Sequence, residues 1–122
     1  MCDQGRVIGK RILLVDDDQD MRNATKLVLQ LDEHSVVEAK NGREALEMFA
    51  QGRCDLVISD YTMPEMRGDE LAANLKQLAP SQPIIMLSAS AGILDRSSLR
   101  VDVLLWKPFS VSELRQAIAQ LC

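Results

Sequence analysis

Four short runs along the chain are almost wholly apolar: Ile12-Leu13-Leu14-Val15, Leu56-Val57-Ile58, Ile84-Ile85-Met86-Leu87 and Val103-Leu104-Leu105-Trp106. Runs of this length without alternation suit strands buried on both faces, as in a parallel sheet covered by helices. A fifth run, Ser35-Val36-Val37-Glu38-Ala39, mixes polar and apolar positions and predicts an edge strand. Between the strands, apolar residues recur at helical spacing. Met21, Ala24, Val28 and Leu31 fall on one face, as do Ala45, Leu46 and Phe49, then Leu71, Leu75 and Leu78, and finally Val111, Leu114, Ile118 and Leu121. Asn41 with Glu44, and Ser110 with Glu113, carry the spacing of a reciprocal N-terminal cap. The segment from Ala91 to Arg100 holds Gly92 and a Ser97-Ser98 pair, so it predicts only a short helix and the least stable part of the chain. Strand and helix thus alternate five times. That order predicts an α/β, doubly wound fold, a five-stranded parallel sheet with right-handed crossovers flanked by five helices.

At 122 residues the chain is expected to form one domain with a real core and no second domain. No apolar stretch is long enough to span a membrane, and the opening MCDQGRVIGK lacks the apolar segment of a secretory signal. Residues Met1 to Gly9 are therefore expected to be a short mobile tail ahead of a domain spanning 10–122, and the location to be cytoplasmic. Cys2, Cys54 and Cys122 are far apart and form no Cys-x-x-Cys pair, which argues against a disulfide framework or a zinc site. The net charge of −4, with no cluster of Lys and Arg, argues against a nucleic-acid surface. The single histidine, His34, falls in a turn-like segment and is expected to be solvated and without a role.

The chemistry gathers at the strand ends. The first buried strand runs into Asp16 and Asp17, the third into Ser59 and Asp60, the fourth into Ser88 and the fifth into Lys107. In a parallel sheet these ends point the same way, and ligands bind in the crevice outside them, at the switch in strand order. Like charges about 4 Å apart near a protein surface cost on the order of 4 kcal/mol at an effective dielectric of about 20. Lys107 supplies one compensating charge, and a hard divalent cation with oxygen ligands would supply the rest. Mg2+, which takes one or two carboxylates, waters and phosphate oxygens, suits the set. A carboxylate beside that cation can attack phosphorus while the cation and Lys107 neutralise the phosphoryl oxygens. Asp60 is the better nucleophile candidate, because the adjacent Asp16 and Asp17 suit a metal cradle.

These residues carry a resemblance. From about Lys10 onward the chain resembles the receiver domain of two-component response regulators, through VDDD at 15–18, SDYTMPEMRGDEL at 59–71, LSAS at 87–90 and KPF at 107–109. Each motif is weak alone; four in order at strand ends form a specific set. The resemblance implies a flavodoxin-like sheet of order 2-1-3-4-5. It implies that Asp60 accepts a phosphoryl group from a phosphohistidine of a sensor histidine kinase or a histidine phosphotransfer protein. Asp17 would ligate Mg2+ directly, Asp16 largely through water, and the Thr62 backbone carbonyl would complete the protein's share. Lys107 would contact phosphoryl oxygens, and the Lys107-Pro108 bond would be cis. Ser88 matches the small hydroxyl residue that turns toward the phosphorylated aspartate. Thr62 and Ser90 would border the path of the hydrolytic water, where two small hydroxyls favour a short-lived phosphoryl state. Gly68 matches the glycine before the third helix, where a positive φ or a close approach excludes a side chain.

Two departures stand out. Leu104 occupies the position of the aromatic switch residue, while the sole tryptophan, Trp106, lies just before Lys107. The interval from Ser88 to Lys107 is also a few residues shorter than is usual in the family. The favoured reading is a signalling module, not a turnover enzyme, that promotes its own phosphorylation and dephosphorylation. A pseudo-receiver that binds a partner without phosphorylation is the alternative that Leu104 keeps open. An aspartate-dependent phosphatase would place its nucleophile in an Asp-x-Asp motif after the first strand and carry a cap, and neither is evident.

Overall fold

The computed structural model describes residues 7–89 and 101–122. Its elements run β1 (Arg11–Val15), α1 (Gln19–Leu31), β2 (Ser35–Ala39), α2 (Gly42–Gln51), β3 (Leu56–Asp60), α3 (Gly68–Leu78), β4 (Ile84–Ser88), β5 (Val103–Trp106) and α4 (Val111–Leu121). All five strands are parallel, in the order β2-β1-β3-β4-β5. The expected sheet and strand order are therefore present. The short helix expected between Ala91 and Arg100 lies outside the described residues, as do Ser90 and Cys2.

Alternation along the strands divides the core into two layers. Leu13, Val15, Val57, Ile84 and Met86 point to one face, where Ala45 of α2 and Leu71, Ala72 and Leu75 of α3 cover them. Ile12, Leu14, Leu56, Ile58, Ile85 and Leu87 point to the other, covered by Leu29 of α1 and by Leu114, Ala117 and Ile118 of α4. Burying each such Leu or Ile contributes about 1.5–3 kcal/mol, so the central strands β1, β3 and β4 form the rigid floor of the molecule. β2 alternates as an edge strand should, ending in buried Ala39.

Local chemistry sets the helix starts, with one correction. Ser110 and Glu113 form the full reciprocal box, Ser110 Oγ accepting from the Glu113 N–H and the Glu113 carboxylate accepting from the Ser110 N–H. At α2 only half forms: Asn41 accepts from the Glu44 N–H, but Glu44 reaches one residue further back, to the Lys40 N–H. The buried face of α1 also differs from the expected stripe. Thr25 and Leu29 are buried, whereas Ala24 is exposed and Leu31 is 67% exposed. A stripe read from apolar residues alone passes over Thr25, whose i, i+4 spacing to Leu29 marks the true centre of the face.

His34 is a further correction: it is buried, not solvated. Its Nδ1 accepts the Lys10 N–H at 2.9 Å, which ties the turn after α1 to the entry of β1, and its Nε2 is buried without a hydrogen-bond partner. Beside it, Asp32 is buried and receives two bonds from the Arg115 guanidinium, at 2.8 and 3.1 Å, joining α1's end to α4.

Candidate functional site

The switch in strand order lies between β1 and β3, where the chain leaves β1 for one side and returns on the other. Asp16 follows β1 directly and is 1% exposed; Asp60 is the last residue of β3 and is 7% exposed. Asp17 is exposed at the rim. Asp16, Asp17 and Asp60 each present a carboxylate oxygen, and these atoms all lie within 4.8 Å of one another. The third acid of the run does something else. Asp18 is the N-cap of α1, its carboxylate accepting from the N–H groups of Asp20 and Met21 at 3.0 and 3.3 Å.

Asp16 is held on nearly every side. Its N–H donates to the Ala39 carbonyl at 3.1 Å, and its Oδ1 accepts the Asp18 N–H at 2.9 Å. Its Oδ2 is buried with no hydrogen-bond partner. A buried carboxylate oxygen left unpaired costs free energy, so a group that completes it is expected to bind there. Burial is the main cause that raises the Asp16 pKa; the Asp18 N–H opposes it, the Asp60 charge adds to it, Lys107 opposes and Asp17 adds again. Two unit charges 4.8 Å apart cost about 3.5 kcal/mol at an effective dielectric of about 20. Three convergent hard oxygens, on a set of acids that includes the unpaired Asp16 Oδ2, fit a divalent cation such as Mg2+.

Lys107 reaches the same place from β5. Its Nζ lies 3.0 Å from Asp60 Oδ1, with both side chains largely buried, and its N–H donates to the Ser88 carbonyl at 2.7 Å. Ser88, the last residue of β4, is buried opposite Trp106 in the ladder. The Lys107-Pro108 peptide bond is cis. Thr62 is exposed in the loop between β3 and α3, two residues past Asp60. Gly68 shows no left-handed φ; its constraint is space. A Cβ there would sit 2.8 Å from Tyr61 Cα and 2.6 Å from Met86 Sδ, and closer still to the Asp60 carbonyl oxygen. The positive φ of this loop falls at Glu65, at 71°.

The structure thus brings Asp16, Asp17, Asp60 and Lys107 together, with Ser88 at the adjoining strand end. Leu104 is not at the acidic cluster; it is half-buried against the core layer beneath α2 and α3, paired with Met86 across β4 and β5. Trp106 is half-buried and, among the described residues, belongs to neither core layer. One group escaped the sequence reading. Arg22 Nη1 donates to the Asp16 carbonyl at 2.7 Å and Arg22 Nε to Glu38 Oε1 at 3.0 Å, while Lys26 Nζ holds Glu38 Oε2 at 2.8 Å. The signal was Glu38 itself, the one charge in the β2 run, facing two cations a helical turn apart.

A model of the response regulator receiver domain matches residues 12–119. Among curated relatives, the chain is 36% identical over 107 residues to response regulator MprA of Mycolicibacterium vanbaalenii, covering 85% of this chain and 46% of that one. It is 38% identical over 110 residues to transcriptional regulatory protein GlrR of Escherichia coli, covering 88% and 25%. The chain therefore spans about half or less of these relatives' length. Among solved structures, response regulator protein TrrA of Thermotoga maritima, in complex with Mg(2+)-BeF, superposes with a TM-score of 0.87 at 37% identity, over 93% of this chain and 99% of that one. Chemotaxis protein CheY4 of Vibrio cholerae gives 0.87 at 27% identity, over 95% and 100%.

Proposed function

The chain belongs to the response regulator receiver domain family, and on that premise we propose that it is a Mg2+-dependent phosphoacceptor whose Asp60 takes a phosphoryl group from a phosphohistidine. The observation that carries the reading is the cluster itself: three carboxylate oxygens within 4.8 Å, the buried unpaired Oδ2 of Asp16, and Lys107 on Asp60.

Asp16, Asp17 and the carbonyl of Thr62 would hold Mg2+ with Asp60. Bound there, it would supply positive charge to offset the negative charge of the phosphoryl oxygens. The Asp60 carboxylate attacks phosphorus, a P–O bond forms, the P–N bond breaks and the imidazole of the donor leaves. Lys107, held at the end of β5 by its N–H bond to Ser88, moves its ammonium from the carboxylate to the new phosphoryl oxygens. The acyl phosphate carries about two negative charges where the carboxylate carried one, so its oxygens need donors, and the Ser88 hydroxyl at the neighbouring strand end would supply one. A sensor histidine kinase or histidine phosphotransfer protein is the donor in this reading, with a downstream protein as the reader, and the action is cytoplasmic. No helix among the described residues is long and apolar enough to cross a membrane. The domain acts as a switch: phosphorylation shifts the population between two surfaces, and hydrolysis at the same site resets it.

Intact-mass measurement after incubation with acetyl phosphate tests this, with and without Mg2+, on wild type and Asp60→Asn. A single Mg2+-dependent phosphoryl gain, lost in the variant, is expected. No gain in folded wild type would overturn the phosphoacceptor reading in favour of the pseudo-receiver. A full gain in Asp60→Asn on an acid-stable residue would overturn the choice of nucleophile.

A further inference from the structure

The loop that carries Asp16 and Asp17 is anchored from outside. Arg22 sits in the first turns of α1, its N–H bonded to the Asp18 carbonyl at 2.9 Å, and its side chain is only 15% exposed. From there the guanidinium spans two elements, donating to the Asp16 carbonyl and to Glu38 of β2. The Asp16 carbonyl belongs to the peptide plane that runs into Asp17 Cα, so fixing that oxygen fixes the plane from which the Asp17 side chain departs. The Asp16 N–H is bonded to Ala39, the residue after Glu38. Both ends of Asp16 are thus referred to β2.

We infer that Arg22 is a positioning residue for the cation site, holding the Asp16–Asp17 peptide in the orientation that converges its carboxylates with Asp60, and that Glu38 in turn orients Arg22. The inference rests on the reading of the acidic cluster as a Mg2+ site. Glu38 is suited to its part because Lys26 and Arg22 together bind both of its oxygens, at 2.8 and 3.0 Å, so the acceptor cannot swing away when the guanidinium moves. A planar guanidinium presents its donors to a carbonyl and a carboxylate in a rigid fork, whereas an ammonium offers a compact, freely rotating set of donors that does not fix the direction of either. The arrangement works by geometry. Arg22 contacts the backbone of the ligand and leaves its carboxylate to the cation.

The test is a Mg2+ titration followed by amide chemical shifts in 15N-labelled protein, beside thermal melts without metal, for wild type, Arg22→Met, Arg22→Lys, Glu38→Gln and the Arg22→Met/Glu38→Gln pair. Loss of a residue that orients a metal ligand weakens affinity by about tenfold or more, and that is the loss expected for Arg22→Met. Arg22→Lys, which keeps the charge and hydrogen-bond donors but not the planar fork, recovers part of it. Glu38→Gln weakens binding in the same direction, and the double variant is no weaker than Arg22→Met, because the two act as one unit. With acetyl phosphate, the Arg22→Met rate deficit closes as Mg2+ is raised to saturation. Wild-type titration with unchanged Mg2+ affinity in Arg22→Met overturns the inference alone, and so does a lowered melting temperature with unchanged affinity. Absence of any titration in folded wild type overturns the Mg2+ reading and the inference with it. Should Arg22→Met not fold, Arg22→Lys and Glu38→Gln carry the same comparison.

Discussion

Gly68→Ala tests how tightly the phosphoacceptor loop is seated. Gly68 opens α3, and its N–H donates to the Tyr61 carbonyl at 2.8 Å, so α3 starts directly against the residue after Asp60. The added methyl would meet Met86 Sδ at 2.6 Å and Tyr61 Cα at 2.8 Å, and would press on the Asp60 carbonyl oxygen. Met86 can swing aside at little cost. The two backbone atoms cannot, because Asp60 is held in the ladder by β4 and the Tyr61 N–H is bonded to the Leu87 carbonyl at 2.8 Å. Overpacking costs about 1–3 kcal/mol; two backbone atoms this close put it at about 2–3 kcal/mol, of which the gain from replacing glycine at a helix start offsets about 1 kcal/mol. For a chain of this length, about 4 °C of melting temperature is lost per kcal/mol, which puts the expected drop at about 4–8 °C. Acetyl phosphate labelling of Asp60 should slow as well, since the strain lands on that residue's own carbonyl. Gly52→Ala is the control. Its backbone is extended at φ −171°, and its nearest neighbour would be Arg11 Nη2 at an ordinary 3.6 Å, so stability should hold or rise by up to about 1 kcal/mol. Met86→Ala added to Gly68→Ala should restore little. A Gly68→Ala protein that melts and labels as wild type does would refute the argument that backbone proximity excludes a side chain here.

Three further outcomes are expected. Mg2+ should raise the melting temperature of wild type by mass action, about 1.4 kcal/mol at ten times its Kd, and calorimetric melts should show Asp16→Asn losing that response while melting higher than wild type without metal, because a buried charge beside Asp60 is gone. His34 is held neutral by burial, its pKa lowered from 6.5 despite the attraction of Asp32. An imidazole with a lowered folded-state pKa contributes fully above the unfolded value and loses that contribution as pH falls below it. Wild-type denaturation midpoints should therefore decline from about pH 6.5 downward, and His34→Gln should flatten the decline across that window. Ser110→Ala removes one arm of the full capping box and should cost about 1 kcal/mol by urea denaturation, with phosphoryl labelling unchanged.

Much of this molecule was legible because its signals are local. Unbroken apolar runs announced β1, β3, β4 and β5, and the residues just past their ends announced the site, since parallel order delivers them to one edge whatever the helices do. Spacing could not reveal contacts made across the chain. Asp32 and Arg115 lie 83 residues apart, and nothing about either marks it as half of an ion pair that buries the carboxylate. His34 looked like a turn residue because its neighbours Asp32, Glu33 and Ser35 are polar; it is buried because the turn folds back on Lys10 and offers its imidazole a backbone N–H. Thr25 was passed over for the same reason, a polar residue at a core-facing position. Within the run Asp16-Asp17-Asp18 the sequence offered three similar acids, and only the geometry separates two members of the cluster from one helix cap.

Leu104, where the resemblance leads one to expect an aromatic, can be weighed against the packing around it. Asp60's carbonyl bears on Gly68, the space Gly68 leaves is bounded by Met86, and Met86 pairs with Leu104 across β4 and β5 within one core layer. Continuity of packing is not coupling; coupling requires an element with two arrangements. What continuity does decide is the form any coupling can take. Leu104 has no polar atom on its side chain, so a displacement at the Asp60 loop can reach β5 through this path only as volume. A bulky neighbour must move, and a leucine fills or vacates the space it leaves. Met86, unbranched and easily rotated, is the most compliant member of that path. A receiver built in this way would register phosphorylation on its β5 side through repacking, without the hydrogen bond that a phenolic hydroxyl at the same position would provide.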